Sequence, residues 1–426
     1  MQTRNIPTAE LQGIVGEEHV TEASSEDAVD GVEPSLVVEP GTVEETSEVM
    51  KLASREGLAV SPRGGGTKMG FGNPPREIDL ILSTARMDQI IEHVPGDQIV
   101  RVQAGLRLQD LQKNLAETDQ MLGVDPPEEG ATIGGIVAAN SSGPRRLRYG
   151  TVRDLIIGIK VVLADGTVAK AGGKVVKNVA GYDLSKLFTG SLGTLGVIAE
   201  ANFRLHPIRE SARTVVVEVD DHEKIADATQ ALTHYSFSQF VLDALEMRWD
   251  GEGGVIVALF EGIEPAVEAQ ASTAAEVLRS HGEMRVLRED DGHAFWEGFV
   301  GRPWETGDMG LKIGAPPADL TAVLGSVLGA AERAGARVRL SGHAGTGVTF
   351  AGLSGGEDGL VEVVEEVREI WARRGGSVVV QEAPLTVKEK LDAWGPGGDY
   401  LGLTRRVKEK FDPGYTMNPG RFLGGI

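Results

Sequence analysis

The first part of the chain alternates short apolar runs with a segment in which apolar residues recur at helical spacing. Residues 36–38 form an apolar run typical of a strand. Residues 42–56 keep helical spacing between a capping Thr42 and a terminating Gly57. A second apolar run follows at residues 58–60. A strand, a helix and a strand in this order predict a small parallel sheet.

The next region is rich in predicted strands and contains one strong turn signal. The dipeptide Asp165-Gly166 separates the apolar segments 155–164 and 167–171. Because Asp-Gly favours a tight reversing turn, this arrangement predicts a β-hairpin. A short helix is predicted over residues 182–188, and a last strand over residues 197–205.

The pattern changes after Pro207, where strands alternate with long helices. This mixture predicts a second domain of the α+β class. Four segments divide the chain. They are a flexible or lightly docked acidic arm, two domains and a C-terminal segment, at residues 1–32, 33–208, 209–399 and 400–426.

Composition excludes several classes of function. The chain of 426 residues carries 63 acidic and 42 basic residues, and this charge disfavours nucleic acid or an anionic membrane as a partner. It has no cysteine, and therefore no disulfide, thiolate metal site or iron–sulfur cluster of its own. It also lacks an eighteen-residue apolar run and the apolar segment of a signal peptide. We therefore expect a cytoplasmic protein without a transmembrane segment.

Glycine is abundant, with 57 residues, and it gathers in four segments. These are residues 62–67 (PRGGGT), 132–143 (TIGGIVAANSSG), 149–154 (YGTVRD) and 181–198 (GYDLSKLFTGSLGTLGVI). Successive glycines let backbone N–H groups converge on an anion, as in a phosphate-binding nest. The first segment is neither a P-loop nor the dinucleotide fingerprint. Each segment alone is equally compatible with a turn or with small-residue packing, but the four in this order favour a pyrophosphate-containing ligand.

This combination resembles the FAD-binding flavoproteins of the vanillyl-alcohol oxidase and p-cresol methylhydroxylase type. The resemblance covers residues 33–208 and resumes at the C terminus. It implies a two-subdomain FAD-binding domain over that range, followed by an α+β substrate or cap domain with an antiparallel sheet. Residues 400–426 would then return to the flavin domain.

The resemblance also implies which residues contact FAD. In some relatives a histidine of the first loop bonds covalently to the flavin, and Thr67 stands at about that place, so we expect non-covalent FAD. The implied cofactor-binding residues are Pro62, Arg63, Gly64, Gly65, Gly66, Thr67, Lys68, Asp125, Pro126, Thr132, Gly134, Gly135, Ala138, Asn140, Ser141, Gly143, Tyr149, Gly150, Ser191, Gly193, Thr194, Val197, Ile198 and Asn418.

Within this family, the tail from Phe411 onward, with NPGRF at residues 418–422, resembles the glycolate oxidase and D-lactate dehydrogenase branch. Catalytic subunits of that branch carry HAGDGNLH and EHG runs, which supply metal ligands and a base. Here the corresponding runs are HAGTGVTF at residues 343–350 and QEA at residues 381–383. Only His343 of the ligand set remains, so we expect no bound metal.

A further departure is Leu192, which replaces the acidic residue usual in the Ser-Glu-Gly-Thr-Leu-Gly run. Together the departures resemble the FAD-binding E-type subunit of bacterial glycolate oxidase. That subunit works beside a catalytic flavoprotein subunit and an iron–sulfur subunit, through which it would associate with the membrane.

The implied function is an FAD-binding oxidoreductase subunit that oxidises a small 2-hydroxy acid, glycolate or D-lactate. Electrons would pass to the iron–sulfur partner. Two alternatives stay open: a non-catalytic flavin scaffold or electron relay, and a stand-alone FAD-linked dehydrogenase of another substrate.

Two single residues are candidates for catalysis. His343 is either a base at the flavin face or a histidine hydrogen-bonded at a domain seam, with no second titratable partner visible nearby in the sequence. Lys312 either holds a substrate carboxylate or is solvated. A basic cluster would meet pyrophosphate, an acidic partner or solvent; it comprises Arg145, Arg146, Arg148 and Arg153.

Overall fold

The N-terminal subdomain contains the predicted strand–helix–strand unit. The structure, a computed structural model, describes residues 6–173, 183–236 and 241–426. Strands β2 and β3 both pair in parallel with β4, and Thr42 caps α2 while Gly57 ends it at φ 65°. The elements are α1 (Thr8–Val15), β1 (Val20–Glu22), β2 (Leu36–Val38), α2 (Val43–Glu56), β3 (Val60–Arg63) and β4 (Leu80–Ser83).

Residues 6–32 are not the separate arm that the acidic composition predicts. Leu11 and Val15 of α1 are buried in the core of the first subdomain, and β1 pairs antiparallel with β2. The Asp27 carboxylate lies 2.6 Å from the Arg63 guanidinium. The prediction of a flexible arm was wrong, because composition does not reveal the distant partners on which an acidic segment docks.

The second subdomain is a five-stranded antiparallel sheet in the order β5-β6-β10-β8-β9. The hairpin predicted at Asp165-Gly166 is confirmed, since β8 and β9 pair antiparallel around it. Tyr182, where the next helix was predicted to begin, and Gly181 lie outside the described residues. The elements are β5 (Ile90–Val94), β6 (Ile99–Gln103), α3 (Leu108–Ala116), β7 (Gln120–Met121), α4 (Ile133–Ala139), α5 (Arg146–Tyr149), α6 (Val152–Leu155), β8 (Ile156–Val162), β9 (Val168–Gly172), α7 (Leu184–Phe188), β10 (Val197–Arg204) and β11 (His206–Pro207).

An eight-stranded antiparallel sheet follows, in the order β15-β12-β14-β13-β17-β18-β16-β19. The predicted α+β class with an antiparallel sheet is confirmed. Its elements are β12 (Ser211–Val219), α8 (His222–Ser236), β13 (Ala244–Trp249), β14 (Gly254–Gly262), α9 (Glu264–Leu278), β15 (Glu283–Arg288), α10 (Glu289–Phe299), β16 (Met309–Gly314), α11 (Leu320–Arg333), β17 (Arg337–His343), β18 (Val348–Ser354), α12 (Glu357–Ala372), β19 (Ser377–Glu382), α13 (Leu385–Lys388) and α14 (Leu401–Phe411).

The two faces of this sheet have different neighbours. Helices α8, α9, α11 and α12 contribute to the large hydrophobic core on one face. On the other face, Phe299 of α10 packs with Val216 and Val257, which alternate with core residues along their strands. The remaining part of that second face contributes polar side chains to a cavity.

The C-terminal residues run beside the first sheet. The Val60 amide donates to the Thr416 carbonyl at 2.8 Å, and the Asn418 amide donates to the Val60 carbonyl at 2.9 Å. Buried Lys408 and Asp412 form an ion pair at 2.7 Å that braces this tail. The chain enters the eight-stranded sheet after Pro207, since β11 ends at that residue and β12, the first strand of that sheet in the sequence, begins at Ser211. The proposed division of the chain at residues 208 and 400 stays a prediction.

Candidate flavin and substrate site

The first glycine segment leaves β3 as a loop that lies against the second segment without room for side chains. A Cβ atom on Gly64 would lie 2.1 Å from Thr132 Oγ1, and one on Gly65 would lie 2.0 Å from the Gly130 carbonyl oxygen. Both distances are shorter than any van der Waals contact. The glycines are therefore required for the packing of the two loops on each other.

The second and fourth segments are joined by main-chain hydrogen bonds. The amides of Gly190 and Leu192 donate at 2.9 Å to the carbonyls of Val137 and Ala138 in α4. The Asn418 side-chain amide donates to the Leu192 carbonyl at 2.7 Å, which connects the C-terminal tail to the same place. The glycine segments and the tail thus form one assembly around a groove.

The groove has a volume of about 100 Å³. Sequence reasoning missed several of its lining residues, including Ser61, Met69, Ile136, Leu192 and Arg421. The predicted cofactor-binding residues that line it are Pro62, Arg63, Gly64, Gly65, Gly66, Thr67, Lys68, Thr132, Gly134, Gly135, Ala138, Ser141, Gly193, Val197, Ile198 and Asn418.

Six predicted cofactor-binding residues line neither the groove nor the second cavity described below, within the described part of the chain. Thr194 donates to the Ser191 carbonyl within its own loop, and the Tyr149 ring lies tilted against the His206 ring with the centroids 4.6 Å apart. These positions indicate that they support the loops, and their part in binding the cofactor stays a prediction. The six are Asp125, Pro126, Tyr149, Gly150, Ser191 and Thr194.

Unpartnered polar atoms in the groove test whether the site fits FAD. Ser61 Oγ, Asn418 Oδ1, and Nε and Nη1 of Arg421 are buried and have no hydrogen-bond partner in the described part of the chain. Burial lowers the pKa of Arg421 to about 10, which leaves it positively charged at neutral pH. A buried unpartnered polar group costs about 1–3 kcal/mol, so a ligand that supplies partners is favoured. A hydroxyl, an amide and a guanidinium beside glycine N–H groups suit a flavin nucleotide with its pyrophosphate.

A second cavity, of about 280 Å³, adjoins the groove. Lys68 and Glu128 line both spaces and form an ion pair at 2.8 Å. Ser141 donates to the same Glu128 carboxylate at 3.0 Å. The predicted cofactor residues Asn140 and Gly143 line this cavity instead of the groove. The two spaces therefore meet at the Lys68–Glu128 pair.

His343 lies at the end of β17 on the cavity side of the large sheet. Its Nδ1 atom is 2.9 Å from both carboxylate oxygens of Glu246, a residue of β13 that sequence analysis missed. Burial raises the pKa of Glu246, and the facing His343 opposes that shift. His343 Nε2 is buried without a hydrogen-bond partner among the described residues. The expectation that no titratable partner lies near His343 was wrong, because the pairing of β13 with β17 brings Glu246 to it.

Lys312 of β16 also lines the cavity. Burial, together with the nearby positive charges of Arg146 and Lys68, lowers the pKa of Lys312 to about 8. In the described ranges, its ammonium group has no hydrogen bond or ion pair to protein. Phe350, which stands where the related branch has a second histidine, packs edge-on against the His343 ring at 5.6 Å. The cavity thus contains a cation without a partner and a carboxylate-oriented imidazole.

The arginine cluster around α5 divides into separate roles. Arg145 pairs with Glu261 at 2.7 Å and Arg148 lies 3.7 Å from Asp243, so both connect α5 to the large sheet. Arg153 is exposed to solvent. Arg146 instead lines the cavity, where it donates to Ser142 Oγ at 3.1 Å. None of the four lines the groove, so of the three roles left open for this cluster the contact with pyrophosphate is not seen.

The second place of the related metal site has different partners here. Gln381 lines the cavity, and Glu382 pairs with Arg302 at 2.6 Å. Over the described residues, no three His, Asp or Glu side chains are grouped as metal ligands. In the same residues, no helix has the length and apolar character needed to cross a bilayer. The lack of a bound metal stays a prediction.

Comparison with known proteins identifies the cofactor of the chain. Residues 34–172 match a family model described as an FAD binding domain. The structure is similar to that of p-cresol methylhydroxylase with substrate bound, with a TM-score of 0.77 and 16% identity, covering 97% of this chain and 95% of that one. The chain therefore has the fold of p-cresol methylhydroxylase, and its residues 34–172 are an FAD binding domain. FAD is its cofactor, as expected from the glycine segments.

Sequence relatives of this flavoprotein come from the branch predicted by its C-terminal tail. It is 29% identical over 414 residues to a D-lactate dehydrogenase of Archaeoglobus fulgidus, covering 91% of each chain. It is 36% identical over 214 residues to the glycolate oxidase subunit GlcD of Bacillus subtilis, covering 50% of this chain and 45% of that protein. These similarities support the branch that the C-terminal tail predicts.

Proposed function

We propose that this chain is an FAD-linked dehydrogenase or oxidase of small 2-hydroxy acids such as glycolate or D-lactate. The observation that carries the proposal is that the buried His343–Glu246 pair and unpaired Lys312 line one cavity, which adjoins the glycine-lined groove. The names of the relatives, D-lactate dehydrogenase and glycolate oxidase subunit, support the same substrate class.

His343 is the proposed base. When bound, FAD supplies the acceptor for the hydride of the substrate carbinol carbon. His343 Nε2 takes the proton of the substrate hydroxyl, because this nitrogen has no hydrogen-bond partner among the described residues. Glu246 accepts the Nδ1 proton, which selects the tautomer with a free Nε2 and stabilises the imidazolium that forms.

Lys312 and Arg146 are the proposed carboxylate-binding residues. Both line the cavity, and burial lowers the pKa of each. A buried cation without an ion-pair partner is unfavourable, and a substrate carboxylate supplies that partner through short charge-assisted hydrogen bonds. The carboxylate would thereby place the hydroxyl carbon near His343.

The finer assignment, to an E-type subunit, is part of the proposal. Since the chain has no cysteine, an iron–sulfur cluster that receives its electrons must be held by a partner chain. A second candidate, a flavin-binding scaffold that only relays electrons, is favoured by Phe350 and Thr346, which replace residues of the related catalytic run. The cytoplasmic location expected from the sequence also stays a prediction.

Anaerobic reduction of the flavin by the isolated chain distinguishes the two candidates. We expect glycolate or D-lactate to bleach the flavin absorbance of the wild-type protein, and the His343→Gln variant to bleach at least 100-fold more slowly, about the smallest effect of losing a general base. Lack of bleaching by any 2-hydroxy acid, with full flavin content, would support the scaffold. Precipitation with acid should release the FAD, since Thr67 offers no histidine for a covalent bond.

A further inference from the structure

The cavity contains more positive charge than one carboxylate needs. Among its lining residues, Lys68 is neutralised by Glu128, and Arg302 is neutralised by Glu382. Three lining cations have no carboxylate ion partner within the described ranges; they are Arg146, Arg248 and Lys312. Lys312 and Arg146 suffice for the carboxylate next to the reacting carbon. Arg248 is therefore an additional cation in a site already able to bind a monocarboxylate.

Arg248 and Lys312 stand at opposite ends of one row across the large sheet. Arg248 is paired with Ser341, Ser341 with Phe350, and Phe350 with Lys312. All four side chains line the cavity. Three strand spacings separate the two cations, which corresponds to roughly 14 Å between Cα atoms. A ligand that contacts both cations therefore needs an anionic group at each end.

The surroundings of Arg248 hold its guanidinium in place without neutralising it. The group lies 4.5 Å over the Phe299 ring and donates to the Phe299 carbonyl. Burial lowers the pKa of Arg248, and the negative charge of Glu246 opposes that shift. Arginine has five N–H donors, and the Phe299 carbonyl is its one hydrogen-bond acceptor among the described residues. Most of the donor fork is therefore available to a ligand.

We propose that Arg248 binds a second carboxylate, so that the preferred substrates are 2-hydroxy dicarboxylates. The inference rests on the proposed function of the same site as an oxidase of 2-hydroxy acids. The carboxylate beside the reacting carbon lies at Lys312 and Arg146, and the distal carboxylate lies at Arg248.

A different role for Arg248 is general attraction of anions. Arg248 also lines an outer cavity of about 580 Å³ that shares Phe299, Arg302 and Trp304 with the inner one. Attraction at this mouth would help monocarboxylates and dicarboxylates alike, and it would weaken with salt. Specific binding instead changes the preference between the two kinds of acid.

The kinetic test compares D-malate and D-2-hydroxyglutarate with D-lactate and glycolate. We expect the wild-type chain to have higher kcat/KM for at least one of the two dicarboxylates. In Arg248→Gln the ratio of dicarboxylate to monocarboxylate kcat/KM should fall roughly 100-fold, and Arg248→Lys should recover part of it. Arg285→Gln is the matched control, because Arg285 lines only the outer cavity and its pair with Glu218 is exposed.

Calorimetric titration with 2-oxoglutarate and pyruvate gives a readout that does not need turnover. Tighter binding of 2-oxoglutarate by wild type, lost in Arg248→Gln and kept in Arg285→Gln, supports the second carboxylate site. Equal binding of the two oxo acids, or an equal loss for both in Arg248→Gln, overturns it. If no hydroxy acid reduces the flavin, the proposed function fails, and these titrations still decide the role of Arg248.

Discussion

The FAD groove and the adjoining cavity are built in different ways. The groove is made by backbone, through glycines such as Gly64 and Gly65 that sit in continuous segments of the chain. The cavity is made by single side chains, among them Glu246, Lys312 and His343, which come from three strands far apart in sequence. The cofactor site is thus encoded by local motifs, whereas the reactive site is encoded by the register of a sheet.

The largest effect should come from a change to the groove backbone. We expect Gly65→Asp to abolish FAD binding, because its Cβ would lie 2.0 Å from the Gly130 carbonyl oxygen and its carboxylate would repel pyrophosphate. Flavin absorbance per chain measures the loss, and circular dichroism checks that the second domain stays folded.

Two alanine variants separate shape from charge in this loop. Gly65→Ala should also lose flavin, since the Cβ atom alone makes the overlap. Gly70→Ala should retain it, because no atom lies within 4 Å of a Cβ at that position. Normal flavin content in Gly65→Asp would contradict a groove built on backbone approach.

A change to the cavity should lower activity without changing the flavin content. His343→Gln should lower kcat by about 10²–10⁴, the usual contribution of a general base, with unchanged flavin content. Glu246→Gln should cost less, since its amide oxygen can still accept a hydrogen bond from Nδ1–H of His343. Loss of flavin from either variant would show that the two regions are not separable.

A smaller, graded effect is expected from pH. Carboxylate binding needs protonated Lys312, whose pKa burial lowers to about 8. The value of kcat/KM should therefore decline as pH rises through about 8, approaching tenfold per unit. Lys312→Arg should move this limb to higher pH, because a guanidinium stays charged. A profile that is the same in both proteins would remove Lys312 from substrate binding.

The smallest effect should follow treatment with a chelator. A single imidazole does not bind zinc tightly, since a site usually needs three or four protein ligands. We therefore expect the flavin spectrum and any turnover to be unchanged by EDTA. Elemental analysis that finds one metal per chain, lost in His343→Ala, would contradict this expectation.

Much of the first domain could be predicted because its signals are local. Thr42 and Gly57 cap the two ends of a helix, Asp165-Gly166 makes a hairpin, and the glycine segments indicate FAD as the cofactor. Their physical basis is capping, turn geometry and the absence of a side chain, which are properties of neighbouring residues.

What needed the tertiary structure is the set of long-range pairs. The charge of residues 6–32 favoured a flexible or lightly docked segment, yet Asp27 forms an ion pair with Arg63. The sequence showed no titratable partner for His343, yet Glu246 lies beside it. Arg145 and Arg148 lie near the acidic residues Glu261 and Asp243, whereas Arg146 and Arg248 line the cavity.

The sequence by itself determined the flavin fold, since backbone conformation follows from local chemistry. Strand pairing and tertiary packing decided which charges meet, because those contacts join residues that are 36, 97 and 116 positions apart in the sequence.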